Sequence, residues 1–437
     1  MHARNDTARS CGRPSLCSPA ALLGLARASL ERESGSALAI LAVAPDGFSR
    51  LRDSIGYERA ARLLDCIAER LLQCAPQLAI ARVGEHEFVL LVPLRERVHD
   101  LDALWHELRA LLALPYGVET GEVCLQFCAG VARIGLEELA AGDGLDAAGA
   151  ALHHAQKTGP GQYSVFRAGI LREARARVEL EHELRLALAR RELQVHFQPV
   201  MHTRSAKLRG AEALVRWKHA SLGWVPPARF VPVAEECGLI HELGEFVLGQ
   251  VLAWRARWRT RTDTLARAEI SFNVSARQLD DDRFVEALER ARAQGLLEGP
   301  PLWMELTETA LVADGPAARA RLLRIRGMGL RLALDDLGMG YSSLLQLRDL
   351  PFDALKIDRM LTAGVGTEPL ETRLFGAICA LARSIPLCVV AEGIETHAQL
   401  EVLRREGVAC AQGYLWSPAL PAADFQHWNE QRARSSA

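Results

Sequence analysis

The chain has 437 residues, a length that predicts two domains, because single hydrophobic cores rarely grow beyond roughly 250 to 300 residues. Hydrophobic residues make up 49% and charged residues 24% of the chain, which excludes a disordered, fibrous or membrane protein. The 52 basic and 54 acidic side chains nearly balance, so no overall field attracts nucleic acid or anionic lipid. We therefore expect no nucleic-acid partner, and a local site for any charged ligand.

The sequence also bears on cellular location. No apolar run reaches the roughly 18 residues needed to span a bilayer, and the N-terminal stretch MHARNDTARSCGRPS contains no hydrophobic signal core. The 10 cysteines are scattered without a CxxC pair, which predicts reduced, mostly core thiols. We expect a cytoplasmic protein without membrane insertion.

Taken in chain order, the sequence divides into four segments. Residues 1–35 form a polar N-terminal segment, and residues 36–168 alternate strand-like runs with helical stretches, as in a smaller α/β domain. Residues 170–194 carry Leu and Ala at helical spacing without Gly or Pro, so we expect a helical connector over 169–192. Residues 193–437 form the second domain.

The second domain repeats a short apolar run, a loop and an amphipathic stretch. The apolar runs are LQVHFQPV, LRGAEALVRW, EISFNVSA, PLWMELTET, LRLALDDLG, FDALKIDR, LCVVAEGIE and VACAQGYLW. Such runs, separated by helical segments, are typical of a (β/α)8 TIM-type barrel. The predicted fold class is therefore α/β, with this barrel following the smaller domain.

Polar residues fall near the carboxyl ends of these runs. They are Glu212, Asn273, Glu305, Asp335, Asp336, Lys356, Glu392, Glu395 and Gln412. Any one of them alone would more often be a solvated strand end or a helix cap, but the carboxyl ends of parallel barrel strands converge on one face. Carboxylates gathered there repel one another and are costly to bury unless a cation neutralises them.

The donor atoms indicate which cation would bind. Carboxylate and amide oxygens without converging His or Cys favour Mg²⁺ or Mn²⁺ over zinc. The adjacent pair Asp335 and Asp336 can let one carboxylate bridge two ions, an arrangement that activates water for displacement at phosphorus. The residues themselves thus indicate phosphodiester hydrolysis with two ions per site.

The barrel half resembles a known family. FQPV (197–200), EALVRW (212–217), NVS (273–275), ELTE (305–308), DDLGMGYSSL (335–344), KID (356–358), AEGIE (391–395) and QGY (412–414) are similar to the successive motifs of the EAL family of cyclic di-GMP phosphodiesterases. This resemblance implies hydrolysis of cyclic di-GMP to linear pGpG.

The resemblance implies a role for each matching position. The first metal ion would be held by Glu212, Asn273, Glu305 and Asp335, and the second by Asp335, Asp336 and Glu392. Lys356 would orient the attacking water, while Glu395 and Gln412 would hold the metal-bound water network. The predicted catalytic residues are Glu212, Lys356, Asp336, Glu392 and Glu395, and the predicted substrate-binding residues are Gln198, Arg216, Glu308 and Gln412.

Glu308 and the segment 335–344 resemble the family loop that couples substrate binding, metal binding and dimer contact. The resemblance therefore implies a homodimer through the barrel domain. Leu337 stands where the family usually has Phe; because this side chain is not a ligand, we expect altered loop packing rather than loss of chemistry.

The first domain resembles GGDEF diguanylate cyclase domains, through the predicted hairpin RVGEHEF (82–88) and the preceding AVAPDGFSRLRDSIGYERAARLL. The cyclase positions depart from the family pattern. Ala44 replaces the metal-binding aspartate, Glu85 and His86 interrupt the signature before Glu87, and Arg52 and Ala61 replace the nucleotide-recognising residues. We expect an inactive GGDEF-like domain that serves as a regulatory or dimerisation module.

Two other functions remain open at this point. A non-catalytic receptor would bind cyclic di-GMP and signal through a regulatory protein partner; its metal carboxylates would usually be eroded, whereas here all are present. A protein-binding scaffold would leave the acidic cluster without a purpose.

Overall fold

The computed structural model describes residues 16–32, 37–74, 78–94, 100–118, 121–135, 143–307, 315–337, 351–384 and 387–435. The chain forms two compact units, Met1–Arg177 and Val178–Ala437. No helix among these residues is both long and apolar enough to cross a bilayer.

The first unit is a mixed sheet with helices on both faces. Its strands are β1 (Ala37–Pro45), β2 (Ala79–Val83), β3 (Glu87–Leu94), β4 (Tyr116–Val118), β5 (Gly121–Val123), β6 (Phe127–Ile134) and β7 (Tyr163–Val165). Its helices are α1 (Pro19–Arg32), α2 (Phe48–Ile55), α3 (Tyr57–Cys74), α4 (Asp100–Leu112) and α5 (Asp143–Thr158). The main sheet has the order β2-β3-β1-β6-β7, and β4 pairs with β5.

Strand β1 shows why this sheet is covered on both faces. Leu41 and Val43 pack in one cluster with residues of α3 and α4, whereas Ile40 and Ala42 pack in another with residues of α1 and α5. Successive side chains of a strand point to opposite faces, so an uninterrupted apolar run fills both layers. Gly130 in β6 lets α5 approach closely, because a Cβ at this position would collide with the backbone of Leu152.

A helix, α6 (Ala168–Arg190), precedes the barrel and crosses the boundary between the two units. The strands that follow are β8 (Leu193–His202), β9 (Leu208–His219), β10 (Gly223–Val225), β11 (Glu269–Asn273), β12 (Leu302–Thr307), β13 (Arg331–Leu337), β14 (Ala354–Ile357), β15 (Cys388–Ala391), β16 (Cys410–Ala411) and β17 (Leu420–Pro421).

The helices of the second unit alternate with its strands. They are α7 (Pro227–Cys237), α8 (Ile240–Arg259), α9 (Ala276–Leu279), α10 (Asp282–Ala293), α11 (Gly315–Gly327), α12 (Arg359–Thr362), α13 (Pro369–Ser384), α14 (His397–Arg405) and α15 (Ala422–Ser435), with a short 3₁₀ helix at Thr264–Arg267. Several begin at a side-chain cap; for example, Thr396 and Gln399 form a reciprocal capping box at α14.

The predicted eight-stranded barrel is confirmed. The ring closes in the order β8-β9-β11-β12-β13-β14-β15-β16, because β8 pairs with both β9 and β16. One assumption was wrong: the strands are not all parallel, since β8 runs antiparallel to both neighbours. A tight connection explains this reversal, because β8 and β9 are joined by only a few residues and a parallel pair needs a long crossover.

Arg255 on α8 offers a test of how the outer helices are attached. Its side chain is only 3% exposed, and its guanidinium donates to the carbonyl oxygens of Leu296 (2.7 Å), Leu297 (3.1 Å) and Pro300 (2.6 Å). We expect Arg255→Met to lower the free energy of unfolding by about 2 to 4 kcal/mol, because buried carbonyls lose charged donors. Urea denaturation measures this loss.

The control for this prediction is Arg257→Met on the same helix. Arg257 is exposed, and its guanidinium lies over the Trp254 ring, 4.6 Å from the centroid. This contact contributes roughly 0.5 to 1 kcal/mol at an exposed site. Equal losses in the two variants would contradict the anchoring role of Arg255.

Candidate active site

A buried lysine lies at the centre of the predicted acidic cluster. The Lys356 ammonium is 2.6 Å from Glu305 Oε2, 2.6 Å from Glu392 Oε1, 3.3 Å from Asp335 Oδ2 and 3.5 Å from Glu212 Oε2. Lys356 is 2% and Glu212 4% exposed. The structure thus brings four carboxylates around one ammonium. The five side chains come from five different strands or strand ends of the barrel.

Two amides join the same cluster. Asn273 Nδ2 donates to Glu212 Oε1 at 2.8 Å, and Gln412 Nε2 donates to Glu212 Oε2 at 2.6 Å and to Glu392 Oε1 at 3.2 Å. Within the described residues, the buried Gln412 Oε1 has no hydrogen-bond partner. A buried acceptor of this kind normally finds a donor or a cation.

The positions of the cluster residues along their strands differ from the sequence expectation in one case. Asn273 ends β11, as expected, but Glu212 lies in the middle of β9. The reason is that β9 continues past the barrel and pairs with β10 from Trp217 onward. Glu212 pairs in register with Ser271, two residues before Asn273. Its side chain nevertheless reaches the cluster, where it accepts the hydrogen bond from Asn273.

The carboxylates of the cluster differ in the direction of their pKa shifts. Burial opposes ionisation of Glu212, but Lys356 and hydrogen bonds from Gln412, Glu305 and Asn273 lower its pKa. Burial and the neighbouring Glu212 charge raise the pKa of Glu305 well above its usual value. Burial also raises the pKa of Glu392, to about 8, despite the opposing charge of Lys356. The raised pKa values of Glu305 and Glu392 indicate that one ammonium does not offset the charge of four neighbouring carboxylates.

The excess of negative charge over the single Lys356 ammonium, together with the donor chemistry, fits a divalent cation. Among the described residues, no three His, Cys, Asp or Glu side chains are arranged to hold a metal ion. The Asp336 side chain lies outside the described residues. The donors are the carboxylate oxygens of the cluster and the amide oxygen of Asn273, a set suited to Mg²⁺ or Mn²⁺.

A cavity of about 520 Å³ adjoins the cluster. Its lining includes Arg216, Asn273, Ser275, Arg277 and Thr307. Ser275 Oγ donates to Glu235 Oε1 at 2.5 Å, and Arg277 donates to the Glu235 carbonyl oxygen at 2.7 Å, so α7 holds this wall in place. A volume of this size accommodates a small organic ligand.

The remaining predicted residues are placed less centrally. Gln198 pairs with Glu212 across β8 and β9 and donates to the Ser417 carbonyl oxygen at 3.3 Å. Glu395 is exposed, and its backbone N–H donates to Gln399 Oε1 at 2.9 Å. Glu308, the loop 338–344 and the side chain of Leu337 lie outside the described residues.

The hairpin of the first unit is present, with Gly84, Glu85 and His86 in the turn between β2 and β3. Arg52 Nη1 bonds Glu85 Oε2 at 2.7 Å, and both side chains line a cavity of about 250 Å³. His86 stacks on Phe48 with ring centroids 5.4 Å apart. Ala44 is buried, and Glu87 begins β3.

Sequence reasoning missed part of the site. It assigned Lys356 to the attacking water but not to the centre of the acidic cluster, and it missed Ser275, Arg277 and Glu235 in the cavity wall. Ser275 lies two residues after Asn273, so the spacing of strand-end residues contained a signal for it. The contact to Glu235, 40 positions away, had none.

Comparison with known proteins places the two halves in families. A family model described as EAL domain matches residues 181–419, more than half of the chain, and one described as diguanylate cyclase, GGDEF domain, matches residues 22–162. These matches agree with the resemblances found for both halves of the sequence.

Among curated proteins, the chain is similar to the bifunctional diguanylate cyclase/cyclic di-GMP phosphodiesterase MucR of Pseudomonas aeruginosa, with 35% identity over 391 residues, 88% of this chain and 56% of MucR. It is also similar to the cyclic di-GMP phosphodiesterase PdeR of Escherichia coli, with 32% identity over 390 residues, 88% of this chain and 57% of PdeR. The chain thus spans about half the length of the curated relatives it matches.

A solved structure described as the MucR phosphodiesterase in complex with c-di-GMP has 37% identity and a TM-score of 0.53, covering 56% of this chain and 99% of that one. A structure of the EAL enzyme Bd1971 covers 90% of this chain with 22% identity and a TM-score of 0.56, and supports the fold alone. The chain belongs to the EAL domain family and carries a GGDEF domain in tandem before its EAL domain.

Proposed function

We propose that this protein hydrolyses cyclic di-GMP to linear pGpG in a reaction that requires Mg²⁺ or Mn²⁺. The observation that carries this proposal is the convergence of Glu212, Glu305, Asp335 and Glu392 on Lys356, beside a cavity lined by Arg216. The names of MucR and PdeR support the choice of substrate.

The residues of the chain divide the work as follows. Glu212, Asn273, Glu305 and Asp335 would hold one ion, and Asp335, Asp336 and Glu392 the other. Bound divalent ions lower the pKa of water and offset charge at phosphorus. Arg216 would bind a substrate phosphate, since it lines the cavity together with Asn273 and a guanidinium suits that task.

Other polar residues would position the attacking water and the substrate; they include Lys356, Gln412 and Gln198. The Lys356 ammonium, already bonded to Glu305 and Glu392, holds those carboxylates in position and offsets phosphate charge. Gln412 Oε1, which lacks a partner among the described residues, can accept a hydrogen bond from the attacking water. Glu395 would support this water network, and Glu308 and Gln198 would line the substrate site.

The full-length protein tests this proposal directly. Incubated with cyclic di-GMP and MnCl₂ or MgCl₂, it should produce pGpG, measured by liquid chromatography, and EDTA should stop the reaction. Binding of cyclic di-GMP by calorimetry without turnover in MnCl₂ would instead favour the receptor function. Neither binding nor turnover would reject both.

We further propose that the GGDEF domain has no cyclase activity. Arg52 and Glu85 form an ion pair beside the hairpin and line the same cavity; the negative charge of Glu85 would oppose a nucleotide triphosphate there, and Ala44 offers no carboxylate for a metal. Incubation of the full-length protein with GTP and MgCl₂ should yield no cyclic di-GMP or pGpG by mass spectrometry. MucR is named as a bifunctional diguanylate cyclase and phosphodiesterase. Formation of either product from GTP by this protein would contradict the proposal and show that the substitutions at the cyclase positions are tolerated.

We also propose a homodimer formed through the barrel domain. Leu370, Leu374 and Leu381 on α13 are exposed by 60%, 52% and 40%, and their spacing puts them on one face of the helix. Light scattering should give twice the chain mass.

The proposed domain boundaries are 36–168 and 193–437, with the connector at 169–192, and limited proteolysis can locate them.

A further inference from the structure

We propose that Cys388 and Cys410 form a peroxide-sensitive thiol pair at the end of the barrel opposite the acidic cluster. Cys388 is the first residue of β15 and Cys410 the first residue of β16. Both sulfurs lie against one guanidinium nitrogen, Arg209 Nη1, at 3.3 Å and 3.2 Å. The pair and its cation form a modification site at the starts of two strands that proposed catalytic groups follow at their other ends.

The strand register places the two thiols on the same face of the sheet. Val390 is the register partner of Cys410, and Cys388 precedes Val390 by two residues, so its side chain points to the same side. Cys388 is partly exposed, whereas Cys410 is buried. An oxidant can therefore reach Cys388 first, and Cys410 is adjacent to it.

Arg209 is held in place by groups other than the thiols. Its Nε donates to Glu269 Oε2 at 2.9 Å, and its guanidinium lies 5.0 Å from the centroid of the Trp303 ring. Trp303 Nε1 also donates to Glu269 Oε2 at 2.8 Å. These contacts leave Nη1 directed at the two sulfurs, where its charge favours a thiolate.

The two thiols differ in ionisation. A hydrogen bond from Cys410 and the charge of Arg209 outweigh burial and lower the pKa of Cys388 to about 6. The same hydrogen bond, together with burial, raises the pKa of Cys410. Cys388 thus has the character of an attacking thiolate, and Cys410 that of the resolving thiol which keeps its proton until the second step.

The oxidant is hydrogen peroxide, and two molecules of water are released. In the first step the Cys388 thiolate attacks one peroxide oxygen, an S–O bond forms, the O–O bond breaks, and the departing hydroxide becomes water with a proton from solvent. In the second step Cys410 attacks the sulfenic sulfur, an S–S bond forms, the S–O bond breaks, and the hydroxide that leaves takes the Cys410 proton. The sulfurs lose two electrons in total and the peroxide gains two.

A disulfide here would act on the strands that carry catalytic groups. An S–S bond is about 2.05 Å long, so its formation draws the starts of β15 and β16 together. Glu392 follows Cys388 by four residues, and Gln412 follows Cys410 by two. This expectation rests on the proposed function: the oxidised protein should hydrolyse cyclic di-GMP more slowly, and its rate should recover when dithiothreitol is added.

The test uses the full-length protein treated with hydrogen peroxide at pH 7 and analysed by peptide mass spectrometry. We expect a linked peptide containing Cys388 and Cys410, which disappears on reduction. In Cys410→Ser, dimedone should label Cys388 as a trapped sulfenic acid. These thiol readouts do not depend on phosphodiesterase activity, so their failure and the failure of the proposed function are distinguishable.

The control thiol is Cys237, which is also partly exposed but donates to the Ala234 carbonyl oxygen. We expect iodoacetamide to modify Cys388 about tenfold faster than Cys237 at pH 7, because thiolate character sets the rate. Arg209→Met should remove most of this difference in a protein whose circular dichroism spectrum is unchanged. Equal rates at the two cysteines, or no linked peptide in the wild-type protein, would overturn the proposal.

Discussion

Replacement of Glu212 by glutamine is expected to lower the rate of cyclic di-GMP hydrolysis by about 10³-fold or more, which corresponds to about 4 kcal/mol of transition-state stabilisation. The substitution keeps the shape of the side chain but replaces one carboxylate oxygen by an amide NH₂. Glu212 accepts hydrogen bonds from both Asn273 and Gln412, so the new NH₂ would face another donor. Initial rates at saturating MnCl₂ measure the effect.

Glu286→Gln provides a matched control for this experiment. Glu286 lies on α10 with a side chain 58% exposed, and its substitution should leave the rate within about twofold, since isolated surface changes have small effects. If Glu212→Gln turns over substrate as fast as the wild-type protein, the acidic cluster is not the catalytic centre.

Lys356→Met is expected to affect both stability and activity. Removal of the ammonium leaves Glu212, Glu305, Asp335 and Glu392 without the cation that contacts all four. Truncating one partner of a buried ion pair typically costs about 3 to 5 kcal/mol. We expect a comparable loss in the free energy of unfolding of the metal-free protein, measured by urea denaturation, and loss of detectable hydrolysis.

The pH dependence of this loss has a definite sign. Lys356 lowers the pKa of both Glu305 and Glu392, so in the variant these values rise further. A carboxyl whose pKa is higher in the folded than in the unfolded chain stabilises the fold at low pH, and this contribution is lost as the pH rises through the folded-state value. For Glu392 that value is already about 8 in the wild-type protein.

The variant should therefore be less destabilised at pH 6 than at pH 9, an interval that passes through the folded-state value of Glu392. Lys218→Met is the control, because Lys218 is exposed and lies 5.9 Å from the centroid of the Trp224 ring. A destabilisation of Lys356→Met that is independent of pH would show that lost packing, rather than uncompensated charge, determines its stability.

The sequence was sufficient to predict the barrel, because its strands lie in apolar runs that alternate with helical segments, although the strands themselves vary from two to twelve residues. The polar residues interrupting these runs predicted the acidic cluster, since Asn273, Glu305 and Asp335 lie at or near the ends of adjacent parallel strands. Both predictions rest on local features of the sequence, namely the periodicity of apolar residues and the polar residues near strand ends.

Other features depend on which segments meet in space. The reversed direction of β8 does not alter its pattern of apolar residues, so periodicity could not indicate it. The central position of Lys356 depends on where four other strands and loops direct their carboxylates. Likewise, Arg209, Cys388 and Cys410 lie far apart in sequence, and only closure of the barrel places them together.

The reversal of β8 also determines where the polypeptide enters the barrel. In a barrel of eight parallel strands, the first strand starts at the face remote from the catalytic groups. Here Leu193, the first residue of β8, pairs with Trp217, beyond Glu212 along β9. Leu180 and Leu184 of α6 pack in the same cluster as Trp217, so the incoming chain reaches the barrel at the end that carries the acidic cluster, in direct contact with β9.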